Sequence, residues 1–388
     1  MRFGKILMII TFCGAIGISA LVSVLKPETE FSEKENRYLE TMPELDVSDI
    51  LAGDFQKDYE AYINDQFFLR DTLVDFSVGI QRGLGRRDVN GVYIGKDDYL
   101  LERYTDEDFK QELMEDNSYF LSVFLNRMIE NYGSGHVVCM MVPGKANVLT
   151  EKLPSLAEGY HEDTVVSALR DLLSAPEILL DVTEQLKSHQ EEYIYYRTDH
   201  HWTGLGAYYG YRAWAEHTGR TARDMEYYQQ ETVSEDFYGT TYNKVHLDVL
   251  PDSVTIYHPS EALDISVNKN DGETISDSLY FPEEIKEESD KYRIFLGGNT
   301  AKIDIKTGAG TGRTLLLFKD SFANSFVPFL AADYDRIIMV DLRYYSDSLS
   351  GLFLQYPDIT DVMVLYNVEK FIEDDAVASV LDAWLEEE

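Results

Sequence analysis

Cysteine is nearly absent: Cys13 and Cys139 are the only two in 388 residues. Cys13 falls in an apolar run near the N-terminus, so the body beyond that run has one thiol and no internal disulfide. The fold must therefore be held by core packing. Cys139, inside HVVCMMV, reads as a buried strand residue, since a free cysteine behaves as a small hydrophobe. Positive charge is scarce as well. Lys+Arg number 34 against 70 Asp+Glu, a net charge of −36. A field of that sign repels nucleic acid and anionic lipid headgroups, which excludes a polyanion held by bulk charge. No Gly-Lys-Ser/Thr accompanies the glycine-rich GAGTG (Gly308–Gly312), and a strand rather than a helix follows it, so it reads as a turn and not a phosphate loop. Internal repeats and low-complexity tracts are missing too, apart from the acidic tail Glu386–Glu388.

What is present begins with an apolar stretch. Arg2 and Lys5 precede ILMIITFCGAIGISALVSVL, Ile6 to Leu25. About 20 apolar residues match a bilayer core of roughly 30 Å, and a secretory h-region is shorter, about 7–15 residues. Residues 1–25 are thus expected to form a signal anchor, with cleavage near Ser19–Ala20 as the alternative that would give a secreted protein. The basic flank places the N-terminus in the cytoplasm and the body on the extracytoplasmic side of the cytoplasmic membrane. Residues 26–85 read as a polar and helical stalk, with apolar positions at helical spacing from Asp54 to Gly79. Asn90–Tyr104 alternates around Gly95-Lys96-Asp97-Asp98 and predicts a β-hairpin.

From residue 86 onward strands and helices alternate. Helices are predicted over Glu107–Asn131, Val165–Leu173 and Gly204–His217, the last capped by Thr203. Strands are predicted over His136–Val142, Ile178–Asp181, Tyr193–Tyr196, Thr314–Phe318, Arg336–Leu342 and Asp361–Tyr366. Such alternation indicates an α/β fold with a mostly parallel sheet flanked by helices. Residues 224–311 break the rhythm and are expected to be a β-rich insertion.

Two segments carry candidate chemistry. In RTDHHWTGLGAYYGY (Arg197–Tyr211), residues i and i+2 of an extended stretch face the same way, roughly 7 Å apart. Asp199 can therefore reach one ring nitrogen of His201 and fix its tautomer, while His200 points elsewhere. A metal site is the competing reading, but adjacent histidines suit a single ion poorly and no further His or Cys cluster completes a ligand set. Neither a metal nor a cofactor is expected. In TLLLFKDSFANSFVPFLAADY, an apolar strand leads through Lys319-Asp320-Ser321 into a helical pattern. That puts Ser321 at the carboxyl edge of the sheet, where its own N–H can stabilise an oxyanion. The flanking glycines of an α/β-hydrolase elbow are missing, and a helix cap is the plain alternative for Asp320 or Ser321. Together the segments supply nucleophile, base and orienting acid in the chain order Asp–His–Ser.

With these residues on the page, the chain resembles the DHHW protein family, related to the alginate O-acetylation proteins with an SGNH-hydrolase-like domain. The motifs are FSEKENRYL (Phe31–Leu39), NDQFFLRD (Asn64–Asp71), NGVYIGKDDYLLE (Asn90–Glu102), TDHHWTGLGAYY (Thr198–Tyr209), KDSFANSFVPFL (Lys319–Leu330) and DLRYY (Asp341–Tyr345). The resemblance implies an SGNH-hydrolase-like domain over 86–388, its sheet circularly permuted because the serine comes last. It implies Asp199 as orienting acid, His201 as general base and Ser321 as nucleophile. The implied reaction passes through an acetyl-enzyme to a sugar hydroxyl, or to water in an esterase. A polysaccharide acceptor and a membrane-bound O-acyltransferase donor are the implied partners. Beside Ser321, the oxyanion candidates are Gly298, Asn299 and Asn367; His200, Trp202 and Lys319 are expected at the substrate. A non-catalytic polysaccharide-binding or assembly factor and a metal-dependent hydrolase stand as the alternatives.

Overall fold

A computed structural model describes residues 2–29, 31–32, 37–43, 45–46, 50, 53–286 and 290–387. Residues 33–36 of the first motif, 287–289 of the β-rich stretch, several positions of the expected stalk and the last acidic residue lie outside the described residues. The chain divides into two compact units, Met1–Asn90 with Tyr242–Asp248, and Gly91–Thr241 with Val249–Glu388.

In the first unit, helix α1 spans Arg2–Leu25 and contains the apolar run. Among the described residues no helix is long and apolar enough to cross a membrane. The expected single helix over Asp54–Gly79 is two, α2 (Asp54–Gln66) and α3 (Arg70–Gly83), because Phe67 leaves α2 in an extended conformation.

The second unit holds the chemistry. Its elements in chain order are the hairpin β1 (Val92–Ile94) and β2 (Leu100–Glu102), helix α4 (Gln111–Tyr132), β3 (Val137–Val142), α5 (Glu162–Leu172), β4 (Leu179–Asp181), α6 (Thr183–Lys187) and α7 (Gly204–His217). Then come β5 (Tyr228–Phe237), β6 (Asp252–Pro259), β7 (Ser266–Lys269), β8 (Thr274–Ser276), β9 (Lys302–Lys306) and β10 (Thr314–Lys319). The chain ends with α8 (Ala323–Leu330), β11 (Arg336–Val340), β12 (Asp361–Asn367), α9 (Val368–Glu373) and α10 (Asp375–Glu387). Thr203 caps α7 as expected, its hydroxyl accepting from Gly206 N at 3.3 Å.

Eight strands form one sheet in the order β8-β7-β9-β11-β10-β12-β3-β4. The run from β11 to β4 is parallel, and β9, β7 and β8 extend it antiparallel. The fold is thus α/β, a mostly parallel sheet flanked by helices. Side chains alternate between two cores, as the period of a strand requires. Met140, Leu315, Leu317, Met339 and Leu365 face one side with Trp202, Trp214 and Phe326; Cys139, Leu316, Phe318, Ile338 and Val364 face the other with Phe124 and Trp384. Cys139 is fully buried, and burial pushes its thiol up to about 12, far from nucleophilic use.

The β-rich stretch divides in two. β5 and β6 pair as a separate antiparallel ribbon, whereas β7, β8 and β9 are absorbed into the main sheet. The expected strand Tyr193–Tyr196 does not form. Tyr195 makes a single bridge to Trp202, because the chain doubles back there instead of running along the sheet.

Candidate active site

Strand β10 sits between β11 and β12, and β11 precedes β12 in the chain, so successive connections leave on opposite sides of β10. A parallel sheet opens a crevice at the carboxyl end of such a strand. Ser321 stands there, two residues beyond Lys319, with 9% of its surface exposed. The turn is tied to the sheet by Asp320. Its N–H donates to Leu365 O at 3.2 Å, its Oδ1 accepts from Phe322 N at 2.9 Å and its Oδ2 accepts from Asn367 N at 2.7 Å. Burial raises the Asp320 carboxyl, against the pull of the Asn367 N–H and Arg343.

The Asp-His-His segment arrives from outside the sheet. His201 Nε2 lies 2.7 Å from Ser321 Oγ, and its Nδ1 lies 2.6 Å from Asp199 Oδ1. The i, i+2 spacing therefore does bring carboxylate and imidazole together, and a stretch 120 residues later in the chain supplies the hydroxyl. Asp199 Oδ1 also accepts from His201 N at 3.0 Å, and its Oδ2 accepts from Thr240 N at 2.9 Å and Thr240 Oγ1 at 3.0 Å. Burial opposes its charge, but His201, His200 and these bonds outweigh burial and hold the carboxyl well below its ordinary value. With an ionised Asp199 accepting at Nδ1, the imidazole presents a free lone pair at Nε2 to the serine proton.

Four neighbours of this line were not expected. Thr240 follows ribbon strand β5; its approach requires Gly239, where a Cβ would sit 2.2 Å from that of Asp199. Asp252, at the start of β6, accepts from Arg197 N and Thr198 N, each at 2.7 Å, and so fixes the backbone leading into the segment. Tyr292 stacks on the His201 ring, 3.8 Å between centroids at 8°, and donates to Ser321 O at 3.1 Å. Lys145 donates to Asp199 O at 2.7 Å. The sequence signal for Lys145 was a Pro143-Gly144 closure directly after a strand; no local pattern marks the other three.

The oxyanion candidates separate by their hydrogen bonds. Along 320–324, the N–H groups of Asp320, Phe322, Ala323 and Asn324 donate within the fold. Among the described residues, that of Ser321 has no such acceptor. Gly298 N already donates to Phe295 O at 3.2 Å. Asn367 is tied into the fold: its Oδ1 accepts from Lys370 N at 3.1 Å, capping α9, and one Nδ2 hydrogen goes to Val142 O at 3.1 Å. Asn299 is exposed, with its carboxamide oxygen turned inward to accept from Lys319 Nζ at 2.9 Å and Asn324 Nδ2 at 3.1 Å. A lysine ammonium only donates, so it fixes that orientation and turns the Asn299 amide hydrogens the other way.

Two residues expected at the substrate are interior instead. Lys319 is 0% exposed; its ammonium is held by Asn299, Asn324 Oδ1 at 3.0 Å and Asp341 Oδ2 at 3.3 Å, because an unpaired buried charge is costly. Trp202 is 0% exposed and donates from Nε1 to Phe322 O at 3.0 Å and Ser325 Oγ at 2.9 Å. It stitches the two segments together and packs in the core. His200 turns its Nδ1 to Thr240 Oγ1 at 2.7 Å, and burial beside His201 lowers it to about 3, so it is a neutral ring at ordinary pH.

The ligand atoms of Asp199, His200 and His201 lie within 4.8 Å of one another, a number of donors that catalytic zinc can use. Two of those residues, however, are engaged with each other, His201 Nδ1 with Asp199 Oδ1 at 2.6 Å. The GAGTG turn also has an internal partner. Gly308, Gly310 and Gly312 take φ of 65°, 72° and 70°, and the N–H groups of Thr311 and Gly312 each donate to the Asp335 carboxylate at 2.7 Å. The anion in this nest is the chain's own.

Comparison with known proteins agrees with the motif resemblance. The model of the DHHW protein family matches residues 179–340. The probable alginate O-acetylase AlgJ of Pseudomonas putida is 26% identical over 192 residues, 47% of this chain and 48% of that protein. AlgJ of Pseudomonas syringae pv. tomato is 26% identical over 167 residues, 41% of each. The chain thus spans about half the length of the curated relatives it matches. Among solved structures, a DHHW family protein from Eubacterium siraeum superposes with a TM-score of 0.62 at 26% identity, over 76% of this chain and 96% of that one. Bacillus cereus PatB1 gives 0.60 at 22% identity, over 72% and 97%, a likeness of fold alone.

Proposed function

We propose that this chain, whose residues 179–340 match the DHHW protein family model, is a serine-dependent O-acetyltransferase acting on an exported or cell-surface polysaccharide. One observation carries the reading: the unbroken line Asp199 Oδ1, His201 Nδ1, His201 Nε2, Ser321 Oγ, with links of 2.6 and 2.7 Å. The likeness to the probable alginate O-acetylase AlgJ supports the polysaccharide acceptor.

In this mechanism Ser321 Oγ attacks the acetyl carbonyl of a donor while His201 Nε2 takes its proton. The carbonyl oxygen becomes an oxyanion, received by Ser321 N–H and by the outward amide of Asn299. Collapse breaks the donor's bond to the acetyl carbon, and the departing group takes the proton from His201. An acceptor hydroxyl then loses its proton to His201, attacks acetyl-Ser321, and the proton returns to Ser321 Oγ. Asp199 keeps its charge throughout and steadies the imidazolium. Water in place of the acceptor makes the same site an acetylesterase.

An extracytoplasmic body with a membrane-bound O-acyltransferase as donor is part of this proposal; its support is the sequence alone, the basic flank Arg2 and Lys5 before the uncharged run Ile6–Leu25. The test is acetyl transfer from a chromogenic acetyl ester to a soluble polysaccharide. Loss of turnover in Ser321→Ala and His201→Ala with insensitivity to chelator is expected. Turnover that survives Ser321→Ala defeats the reading, and turnover abolished by chelator favours a metal-dependent hydrolase.

A further inference from the structure

The Asp199–His201 pair belongs to no strand and no helix, yet it meets a serine on the sheet at hydrogen-bond distance. Something must fix the segment relative to the sheet. Lys145 is placed to do so. It follows the turn Pro143-Gly144 at the carboxyl end of β3, and it is buried. Its ammonium donates to Tyr196 O at 2.9 Å, Arg197 O at 3.2 Å and Asp199 O at 2.7 Å. An ammonium has three hydrogens, and all three are used. They close the peptide backbone around the residue that orients the base.

The turn under Lys145 is tied on both sides. Tyr195 donates to Pro143 O at 2.7 Å, and Gly144 N donates to Glu162 Oε1 at 2.8 Å. The space beside Gly144 is filled by the Glu369 carboxyl, which a Cβ there would approach to 2.3 Å. The turn is also linked to the nucleophile. Strands β3 and β10 both pair with β12, and Leu365 of β12 stands opposite Met140 on one side and Lys319 on the other. Asn367 then bridges their ends, donating from Nδ2 to Val142 O and from N to Asp320 Oδ2. One continuous path of bonds runs from Ser321 through Asp320, Asn367 and the end of β3 to the lysine that holds Asp199.

We propose that Lys145 is a positioning residue of this site: it holds the Asp199–His201 pair in register with Ser321 by gripping three carbonyls of the incoming segment. It touches no reacting atom. The proposal rests on the triad reading for its effect on rate, and on geometry alone for its effect on the acid–base pair.

The experiment uses the full chain with two readouts. One is the downfield proton resonance of His201 Nδ1–H against Asp199, identified by its loss in His201→Ala. The other is the rate at which phenylmethylsulfonyl fluoride modifies Ser321, followed by intact mass. Lys145→Met, checked as folded by near-ultraviolet dichroism, is expected to lose or shift the resonance and to slow sulfonylation by about 10²-fold. A purely structural lysine would lower the unfolding midpoint and leave both readouts of the folded protein unchanged, and that result overturns the proposal. Should Lys145→Met not fold, Lys145→Gln replaces it, and a parental resonance and rate in that variant overturn the proposal equally. A parent protein without the resonance does so as well, since no fixed pair then exists to be positioned. If the parent shows the resonance but resists sulfonylation while Lys145→Met loses the resonance, positioning stands and the nucleophile reading fails.

Discussion

Tyr292 lies flat against His201, ring centroids 3.8 Å apart and planes within 8°, while its hydroxyl donates to the carbonyl of Ser321 at 3.1 Å. One side chain thus touches both the His201 ring and the backbone of Ser321. Tyr292→Phe keeps the stacked face and loses the hydroxyl bonds to Ser321 O and Ser325 Oγ, at a cost of about 1 kcal/mol. Tyr292→Ala also loses the stack and leaves a void, at about 3 kcal/mol or more. Denaturant unfolding should rank the two in that order, and kcat for acetyl transfer should fall more in the alanine variant with KM little changed.

Asp199→Asn keeps the size of the side chain but removes the charge that selects the Nδ1–H tautomer of His201. Loss of about 10⁴-fold in kcat is expected, as for comparable triads. The unfolding midpoint should move far less, because the amide can still bond to Thr240. Steady-state kinetics beside thermal unfolding checks this; a loss below tenfold contradicts the assigned role.

Lys319 belongs to the interior. Its removal in Lys319→Met leaves Asp341, itself 0% exposed, with Arg343 as its remaining partner at 2.6 Å. Destabilisation by about 3 kcal/mol is expected from breaking a buried ion pair. The measurement is urea unfolding. The same variant leaves the Asn299 carboxamide held by Asn324 alone, so any folded fraction should also turn over more slowly.

Glu162 and Glu369 form a buried acid pair beneath Gly144. Burial, and for Glu369 also the charge of Glu162, raises both carboxyls above their ordinary range. The sign follows from proton count. A carboxyl raised in the folded state binds more protons folded than unfolded, so its contribution is fully present below about pH 4.3 and declines as pH rises above it. Asp199, held well below its ordinary value, has the opposite sign and loses its contribution as pH falls. Glu369→Gln should therefore flatten the alkaline decline of the thermal midpoint, measured across the neutral range, and leave the acid limb in place.

Much of this is legible in the sequence. Five strands of the parallel run announced themselves by short apolar segments between helices, and Thr203 by its place before α7. The i, i+2 relation of Asp199 and His201, and the serine after an apolar strand, identified three residues that do converge. What stayed hidden was set by contacts between distant segments. Nothing local separates a lysine at a strand end that faces solvent from Lys319, enclosed by Asn299, Asn324 and Asp341. Trp202 was expected at the substrate; the hydrogen-bond partners that draw it into the core lie 120 and 123 residues away. Asn367 gives no local sign that it caps α9 with Oδ1 and bonds Val142 O from Nδ2. The β-rich stretch could not reveal that part of it joins the main sheet while Thr240 and Asp252 serve the Asp-His-His segment.

The most direct measurement is the mass of the intact protein quenched in acid during turnover of an acetyl ester, followed by peptide mapping. The account predicts a gain of one acetyl group on Ser321, discharged by added polysaccharide, and no gain in Ser321→Ala or His201→Ala. An acetyl group on another residue, or full turnover in Ser321→Ala, would contradict it.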